Sequence, residues 1–502
     1  MPDSTNGKSV AVIGAGLGGI SAALSLALEG YRVRLFDKNE KIGGKLNFQI
    51  QDGYTFDLGP SILTLPAIFE ATFAKAGKRM SDYMTICPIR PHWRNFFEDG
   101  MVVDLYPERE KMAAEARKAG EDPGAVEAFL EYSGKLYDLV DRGYFREGLD
   151  SAKDFRAFYG LSNFGKFDLL RTMHGGVNKR FKTRYFVDIF DFFIKYVGSS
   201  AHRAPAFMNC LPTIQFRYDL WYVMGGMYGL AAGLERLLRE VGVAIHLGAE
   251  VSRIRLTPDG GSACGVELVD GTAFDSDHVV SNMEVIPTYR RLLPADEDFV
   301  RPLEKRLEPA CSGLVIDVGL DRKYDQLGHH NFFFSGDQKA HFRSVFQKRE
   351  IPHDPTLYLV AASRTDPAVA PEGCDCLKIL PHIPYLDPDR PVAHEDYVAL
   401  KERIYDKLER MGLTDLRRHI VTEHFWTPRD IEREYYSNRG SIYGVVSDRY
   451  RNFAFKAPKV SARYRNLFFV GGSVNPGGGM PMVFLCGQNV ARRVVEADQS
   501  KP

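Results

Sequence analysis

Residues 10–19 read VAVIGAGLGG, and this stretch decides the fold. The apolar run at 10–13 predicts a short strand, and the pattern from 17 to 29 predicts a helix. A second strand is predicted at 32–36, with Asp37 directly after it. The chain therefore opens with a strand–helix–strand unit, which is typical of α/β proteins with a parallel sheet.

The glycines of this stretch fit the pattern G-x-G-x-x-G at Gly14, Gly16 and Gly19. In such a motif the first glycine permits a tight turn, the second lets the backbone approach a pyrophosphate, and the third lets the helix pack closely on the strand. Asp37 follows after about 20 residues, where an acid binds the ribose hydroxyls. The combination predicts a Rossmann-type dinucleotide-binding domain.

Three further stretches favour FAD over NAD. Residues 41–45 read KIGGK, residues 57–61 read DLGPS, and residues 471–481 read GGSVNPGGGMP. Two glycines and a base after the acid can wrap the far side of an extended dinucleotide, and a glycine-rich backbone can approach a flat ring. The helix predicted after the last stretch would point its positive end at that ring.

The composition excludes some classes of protein. Lys plus Arg and Asp plus Glu number 65 each, so a nucleic-acid partner is not expected. Seven scattered cysteines predict free thiols in a reducing compartment. Residues 1–8 show no signal-peptide pattern, and no apolar run of about 18 residues predicts a membrane span. We therefore expect a cytoplasmic protein.

Five segments carry a resemblance to a known family: 56–64 (FDLGPSILT), 195–200 (KYVGSS), 281–289 (SNMEVIPTY), 329–334 (HHNFFF) and 471–482 (GGSVNPGGGMPM). The chain resembles, over nearly its whole length, the carotenoid desaturase and oxygenase family of FAD enzymes, which is related to phytoene desaturase. The first and last segments are common to the family, and the middle three are typical of the diaponeurosporene and diapolycopene oxygenases. The resemblance implies an α/β FAD-binding domain interwoven with an α+β substrate domain, as in flavin amine oxidases.

The resemblance also implies which residues bind FAD. Asp37 and Lys45 stand where the family more often has Glu and Arg, so Lys45 would neutralise phosphate without a bidentate fork. The acid that many related flavoproteins place near Gly472 is missing from this sequence. The implied residues are Gly14, Ala15, Gly16 and Gly19 at the pyrophosphate, Asp37 at the adenosine ribose with Lys38 beside it, Gly43, Gly44 and Lys45 in the second motif, Gly59, Pro60 and Ser61 in the next turn, Val251 at the adenine, and Gly472, Ser473, Gly479 and Met480 along the ribityl chain and the isoalloxazine.

The activity that the resemblance implies is oxidation of an end methyl group of an acyclic thirty-carbon carotenoid to an aldehyde. FAD would carry the redox chemistry, and molecular oxygen would supply the new oxygen. Two alternatives stay open: a desaturase of the same family, and a prenyl-binding escort protein without redox activity. The catalytic residues are unknown. His329 and His330 are candidates for proton delivery, or they bond to backbone at a strand end, and no spaced third ligand accompanies them to predict a metal site.

A carotenoid is too apolar to diffuse through water, so we expect the protein to bind a membrane surface peripherally. Aromatic residues recur at three- and four-residue spacings in 181–196, which predicts either a core helix or a membrane-docking helix. The oligomeric state is left open. Two interwoven domains are predicted, with FAD bound by 1–105, 225–285 and 460–502, and the substrate and membrane bound by 106–224 and 286–459.

Overall fold

The computed structural model describes residues 7–499, without the side chains of residues 161, 162 and 164. The polar N-terminal segment, in which the sequence predicts no signal peptide, lies almost wholly outside the described residues. The strands are β1 (Ser9–Ile13), β2 (Arg32–Phe36), β3 (Phe48–Gln51), β4 (Tyr54–Asp57), β5 (Ile86–Pro88), β6 (Trp93–Phe96), β7 (Val102–Leu105), β8 (Trp221–Val223), β9 (Ala244–His246), β10 (Val251–Leu256), β11 (Ala263–Leu268), β12 (Ala273–Asp275), β13 (His278–Ser281), β14 (Ser312–Gly313), β15 (Val315–Leu320), β16 (His330–Phe333), β17 (Leu357–Ala361), β18 (Asp375–Ile383), β19 (Ile420–Trp426) and β20 (Leu467–Phe469).

The α-helices are α1 (Leu17–Leu28), α2 (Pro66–Lys75), α3 (Arg109–Lys118), α4 (Pro123–Val140), α5 (Ala152–Tyr159), α6 (Met173–Asn178), α7 (Arg184–Phe192), α8 (Leu211–Tyr218), α9 (Tyr228–Glu240), α10 (Val285–Arg291), α11 (Glu297–Arg306), α12 (Gln338–Arg343), α13 (His394–Arg410), α14 (Pro428–Tyr435) and α15 (Met480–Gln499). Shorter helical segments have 3₁₀ geometry at Met80–Asp82, Leu161–Phe167, Phe193–Val197, Ala206–Cys210, Ala362–Arg364, Pro367–Val369, Leu416–His419 and Asn438–Gly440, and π geometry at Asp141–Glu147 and Ser344–Lys348.

The predicted N-terminal strand–helix–strand unit is confirmed, with β1, α1 and β2 within one residue of the expected bounds. These two strands belong to a five-stranded sheet in the order β20-β13-β1-β2-β9, and every pair in it is parallel. All five residues of β1 are buried, as expected for the central strand of a sheet that is covered on both faces. The parallel sheet brings the carboxyl ends of β1 and β2 to one edge, where ligands bind in such folds.

The C-terminal helix α15 packs against α1, and the contact is close because both helices carry glycine there. A Cβ on Gly487 would lie 2.6 Å from the carbonyl oxygen of Gly18 and from the amide nitrogen of Ala22. The hydroxyl of Ser21 also donates to the carbonyl of Phe484 at 2.5 Å. This packing brings the glycine-rich stretch before α15 next to the glycine motif before α1.

A second, mixed sheet of eight strands lies in the remainder of the chain. Its order is β19-β15-β18-β17-β16-β6-β7, with β14 paired to β18, and only the β16–β6 pair is parallel. The small antiparallel sheet β10-β11-β12 stands apart from it. Residues 93–105 pair with the large sheet through β6, although the sequence assigns them to the FAD-binding unit. The division into two domains stays a prediction.

The aromatic segment 181–196 is part of the core. Phe186, Phe190 and Phe193 have no exposed surface, and Phe181 is 5% exposed. Their rings pack on one another and on Phe129 of α4. The core interpretation is confirmed, and the prediction that this segment docks on a membrane is wrong, because the helical spacing of its aromatics serves internal packing.

All seven cysteines are free thiols, as the sequence predicts. In the part of the chain that the structure describes, no helix combines the length and the apolar character needed to cross a membrane.

Candidate active site

One continuous cavity of about 400 Å³ runs from the edge of the parallel sheet into the middle of the chain. The glycines of the N-terminal motif and those of the C-terminal stretch line the same part of it, Gly14 and Gly16 on one side and Gly472 and Gly479 on the other. Two halves that lie more than four hundred residues apart in the printed sequence therefore meet in space.

Most of the predicted FAD-binding residues line this cavity. The other three predicted residues, Ala15, Gly19 and Ser473, are not in the wall but are next to residues that are. Ala15 donates its N–H to the Asp37 carboxylate at 2.7 Å, Ser473 accepts a hydrogen bond from the N–H of Val285 at 3.0 Å, and a Cβ on Gly19 would collide with the carbonyl oxygen of Gly14. The residues in the wall are Gly14, Gly16, Asp37, Lys38, Gly43, Gly44, Lys45, Gly59, Pro60, Ser61, Val251, Gly472, Gly479 and Met480.

The N-terminus of α1 has the chemistry of an anion site. Gly16 is its N-cap residue, no side chain caps the helix, and its first turn contains no acid. The first N–H groups and the positive end of the helix dipole are therefore available to a phosphate. Space is tight here, because a Cβ on Gly16 would lie 2.7 Å from the side-chain nitrogen of Asn282. A ligand therefore has room at this turn only if residue 16 carries no side chain.

Asp37 is held in position at the carboxyl end of β2. One carboxylate oxygen accepts from the N–H of Ala15 at 2.7 Å, and the other accepts from the N–H of Asn39 at 2.9 Å. Burial raises the pKa of this carboxyl group, while the two backbone hydrogen bonds act in the opposite direction. A fixed carboxylate at a cavity wall can accept hydrogen bonds from a diol such as a ribose.

The second motif joins the first through an isolated bridge between Gly43 and Gly16. Lys45 lines the cavity, but its amine donates to the carbonyl of Ser441 at 2.9 Å and lies 3.6 Å from the carboxylate of Glu284. Burial lowers the pKa of the Lys45 amine, and Glu284 partly opposes that effect. The assigned role of Lys45 at a phosphate stays a prediction.

The far end of the cavity is apolar, and its wall comes from α4, the π segment Asp141–Glu147, the 3₁₀ segment Ala206–Cys210, and α8. No motif in the sequence marks these residues as one site. The side chains there are Val140, Phe145, Phe207, Met208, Leu211 and Ile214. Such a surface fits a hydrocarbon chain and no charged ligand.

A buried lysine, Lys378, also lines the cavity. Lys378 donates to the carbonyl of Gly59 and to the hydroxyl of Ser61, the latter at 3.3 Å. Asp57 and Asp317 are its neighbouring acids, and burial raises the pKa of Asp57 to about 6 and that of Asp317 to about 7. Lys195 lines the same region and is described further below.

Neither candidate histidine belongs to the cavity wall in the described part of the chain. His329 bonds through Nδ1 to the hydroxyl of Thr365 at 2.7 Å, and His330 bonds through Nδ1 to the hydroxyl of Tyr358 at 3.0 Å. Burial lowers the pKa of the His329 ring to about 3, so it stays neutral. Tyr358 stands between His330 and the cavity, and proton delivery by the histidines stays a prediction.

One cluster of possible metal ligands occurs outside the cavity, where the sequence predicts none. Ligand atoms of His174, Asp191 and His202 all lie within 4.8 Å of one another. Nδ1 of His174 lies 2.6 Å from a carboxylate oxygen of Asp191, and this hydrogen bond raises the pKa of His174. The contact is therefore an ordinary histidine–carboxylate hydrogen bond, which explains without a metal ion why two of the three groups lie close together.

Sequence reasoning missed several residues of the wall. Asn282 and Glu284 line the cavity, and they lie in the 281–289 segment. This segment carries part of the family resemblance, which could have indicated that its residues belong to the site. Glu250 and Tyr436 also line the cavity and are hydrogen-bonded to each other at 2.7 Å. Glu250 directly precedes β10 and Tyr436 directly follows α14, and nothing in the local sequence indicates that these two positions meet.

Comparison with known proteins adds to this geometry. The profile of the family "flavin containing amine oxidoreductase" matches residues 17–306. The chain is 55% identical to a protein of Methylomonas sp. named 4,4'-diapolycopene oxygenase, over 98% of this chain and 99% of that protein. It is 48% identical to a 4,4'-diaponeurosporene oxygenase of Staphylococcus haemolyticus, over 97% of each. A solved structure of a putrescine oxidase variant superposes with a TM-score of 0.64 at 12% identity, covering 98% of this chain and 99% of the other.

Proposed function

The chain belongs to the family of flavin-containing amine oxidoreductases, and from this premise we propose that it oxidises the terminal methyl group of an acyclic thirty-carbon carotenoid to an aldehyde, with FAD as its cofactor. The observation that carries the proposal is the full-length match, at 55% and 48% identity, to proteins named diapolycopene and diaponeurosporene oxygenase. The cavity is consistent with it, because one end fits a dinucleotide and the other a hydrocarbon.

The residues at the sheet edge fit FAD. The uncapped start of α1 would hold the pyrophosphate, Asp37 the ribose, and the backbone around Gly472 and Gly479 the ring system. Bound FAD supplies two-electron redox chemistry. The protein's own part is to orient the cofactor through backbone donors and to leave no space for a side chain where the phosphates would lie, since a Cβ on Gly16 would crowd the side chain of Asn282.

The apolar end of the cavity would hold the polyene. Burial of its carbons there is favourable by about 25 cal/mol per Å², and the same walls keep water away from the reacting end. An end-on reaction needs the chain to stop with its terminal methyl group at the ring. A desaturase must instead let the chain slide until an interior bond reaches the ring, so the length of the apolar end decides between the two reactions.

Incubation of the flavin-loaded enzyme with diaponeurosporene and with diapophytoene tests the proposal. We expect aldehyde or alcohol from diaponeurosporene, identified by mass spectrometry. A desaturase would convert diapophytoene to longer polyenes without any oxygenated product, and that result would replace the proposal. A protein that binds the carotenoid but shows no flavin absorbance after reconstitution would point to an escort protein.

We further propose that the enzyme draws its substrate from a membrane surface, through a patch formed by α5, the 3₁₀ segment Leu161–Phe167 with the three residues after it, and residues 449–455. Leu170 is 90% exposed and Tyr450 69%, and Phe158 and Phe453 are also exposed. Lys153, Arg156 and Lys166 are exposed on the same elements and would attract anionic lipid. We call Phe158, Leu170, Tyr450 and Phe453 the docking patch.

The docking patch adjoins the cavity. Tyr144 lines the cavity and donates its hydroxyl hydrogen to the carbonyl of Ala454, the neighbour of Phe453. The two halves of the patch also contact each other, since the guanidinium of Arg449 donates to the carbonyl of Leu170 at 3.0 Å. A polyene leaving a bilayer at this patch would have a short route to the apolar wall.

The two-domain division is part of the proposal. The sheet pairings favour moving residues 93–105 from the FAD-binding unit to the substrate unit, because β6 pairs with β16 and β7 pairs with β6. The remaining segments keep their assignment in the proposal, because β9 and β13 of 225–285 and β20 of 460–499 belong to the N-terminal sheet.

A further inference from the structure

Lys195 occupies an unusual position in the cavity wall. It lies in the 3₁₀ segment Phe193–Val197 and is 5% exposed. Four aromatic rings surround its amine. The nitrogen lies 3.6 Å from the ring centre of Tyr358, 4.3 Å from that of Phe332, and 5.1 Å from those of Trp93 and Tyr196.

Among residues 7–499, no carboxylate and no hydrogen-bond acceptor partners the Lys195 amine. The other lysines of the same cavity differ. Lys38 donates to the side chain of Asn39 at 3.2 Å, Lys45 pairs with Glu284, and Lys378 donates to Gly59 and Ser61. Of these four cavity lysines, Lys195 is therefore the one whose nitrogen makes no hydrogen bond or ion pair with the described residues.

This environment makes Lys195 a nucleophile. Burial, with the charge of Lys378 as a second cause, holds the pKa of the Lys195 amine well below its usual range. A neutral amine keeps its lone pair, and desolvated lysines near another cation are those that form Schiff bases in proteins. The solvated, paired lysines of a surface lack this reactivity, since at neutral pH they are protonated.

The segment that carries Lys195 also passes close to the glycine stretch before α15. The carbonyl oxygen of Tyr196 is 3.9 Å from the position of a Cβ on Gly479, in the stretch to which we assign contact with the flavin ring. An aldehyde made at that ring would form in the same cavity that Lys195 lines. We propose that the amine of Lys195 captures the polyene aldehyde as a Schiff base inside the cavity, an inference that rests on the proposed function.

The capture balances without any oxidant. The nitrogen lone pair attacks the aldehyde carbon, and the carbonyl electron pair moves to oxygen, which takes the proton that the nitrogen loses. The carbon–oxygen bond of this carbinolamine then breaks, water leaves, and the carbon–nitrogen double bond forms. A proton on the imine nitrogen gives a cation, which the four ring faces around Lys195 stabilise. Hydrolysis by the reverse path releases the aldehyde, so the imine retains the product until water enters.

The test supplies the aldehyde directly to the flavin-loaded enzyme, so that it does not depend on turnover. Crocetin dialdehyde, an acyclic polyene aldehyde, is added at neutral pH, the imine is reduced with cyanoborohydride, and the modified lysines are located by peptide mass spectrometry. We expect labelling of Lys195 about tenfold or more above Lys38, Lys45 and Lys378, because each of those three amines must first give up a hydrogen bond or an ion pair, whereas the Lys195 amine has no such partner among the described residues. Those three lysines are matched controls within one cavity.

Two variants sharpen the result. Lys195→Arg keeps a long nitrogen-bearing side chain but cannot form an imine, and Lys195→Met fills the aromatic cage without an amine. Both variants are expected to lose the label at position 195 while their flavin absorbance remains. Absence of a reduced adduct on Lys195 in the wild-type protein overturns the inference, and so does equal labelling of all four cavity lysines. If no adduct forms on Lys195 while the enzyme still makes aldehyde from carotenoid, the inference fails and the proposed function stands. If the adduct forms but no carotenoid is oxidised, the proposed function fails.

Discussion

The two ends of the cavity are built by opposite means. At the sheet edge, backbone atoms of short glycine stretches form much of the wall, and each stretch is compact, since a Cβ on Gly19 would collide with the carbonyl oxygen of Gly14. At the apolar end, side chains from α4, the 3₁₀ segment Ala206–Cys210 and α8 form the wall, with no shared motif. A site that recognises its ligand through backbone must use glycine and leaves a local pattern, whereas a site that recognises a hydrocarbon needs only apolar bulk.

The comparison predicts that substitutions at the sheet edge abolish cofactor binding, while those at the apolar end change substrate use and leave the cofactor in place. The largest effect is expected for Gly16→Val. Overpacking costs about 1–3 kcal/mol and each lost charged hydrogen bond about 1.5–3 kcal/mol, so FAD affinity should fall about a hundredfold or more. The flavin absorbance per protein chain after reconstitution measures this.

Gly165→Val is the matched control for that variant, since a Cβ at Gly165 meets nothing within 4 Å. It should retain its flavin. A folded Gly16→Val protein with a full complement of flavin would remove the basis for assigning the pyrophosphate to this turn.

The next effect concerns Asp37. Asp37→Ala removes the acceptor of a ribose hydroxyl and frees the N–H of Ala15, which now donates to the carboxylate at 2.7 Å. A hydrogen bond to a charged group contributes about 1.5–3 kcal/mol, so we expect FAD affinity to fall by about 10- to 100-fold, measured by fluorescence titration. Asp37→Glu should bind nearly as the parent does. Equal affinity of the alanine variant would show that the carboxylate does not contact the cofactor.

At the apolar end, Ile214→Trp should leave flavin content unchanged and lower kcat/KM for a thirty-carbon carotenoid by about tenfold, because pocket contacts of this kind contribute about 1–3 kcal/mol. Steady-state assays with the carotenoid in vesicles measure it. Val421→Trp, at an exposed position outside the cavity wall, serves as control. Loss of flavin in the Ile214 variant would mean that the two ends are not independent.

The smallest effect is expected at the docking patch. Leu170→Glu and Phe453→Glu each remove a partly inserted apolar side chain, worth up to about 1.5–3 kcal/mol when fully buried, and should lower binding to anionic vesicles several-fold. Flotation of the protein with vesicles reports this. Val269→Glu changes an equally exposed side chain on the β11–β12 turn and should have no effect. Unchanged flotation of both patch variants would place the membrane contact elsewhere.

The same difference explains what the sequence could predict. The first two strands and the helix between them were predicted to within one residue, and a helix was predicted after the last glycine stretch, where α15 lies, because each depends on local spacing. The assignment of 181–196 to a membrane surface failed because helical periodicity reveals an apolar face but not what covers it. Lys195 and Tyr358 come together only through tertiary packing, so no spacing rule could have paired them.

In the proposed reaction, the flavin and oxygen act on the chain end of a carotenoid. Diaponeurosporene in vesicles, incubated with the flavin-loaded enzyme under labelled oxygen gas, tests it most directly. Since aldehyde oxygen exchanges with water, the product is reduced at once to the alcohol before mass spectrometry. We expect an end-group alcohol that carries the label. A longer polyene without any oxygenated product would contradict the account.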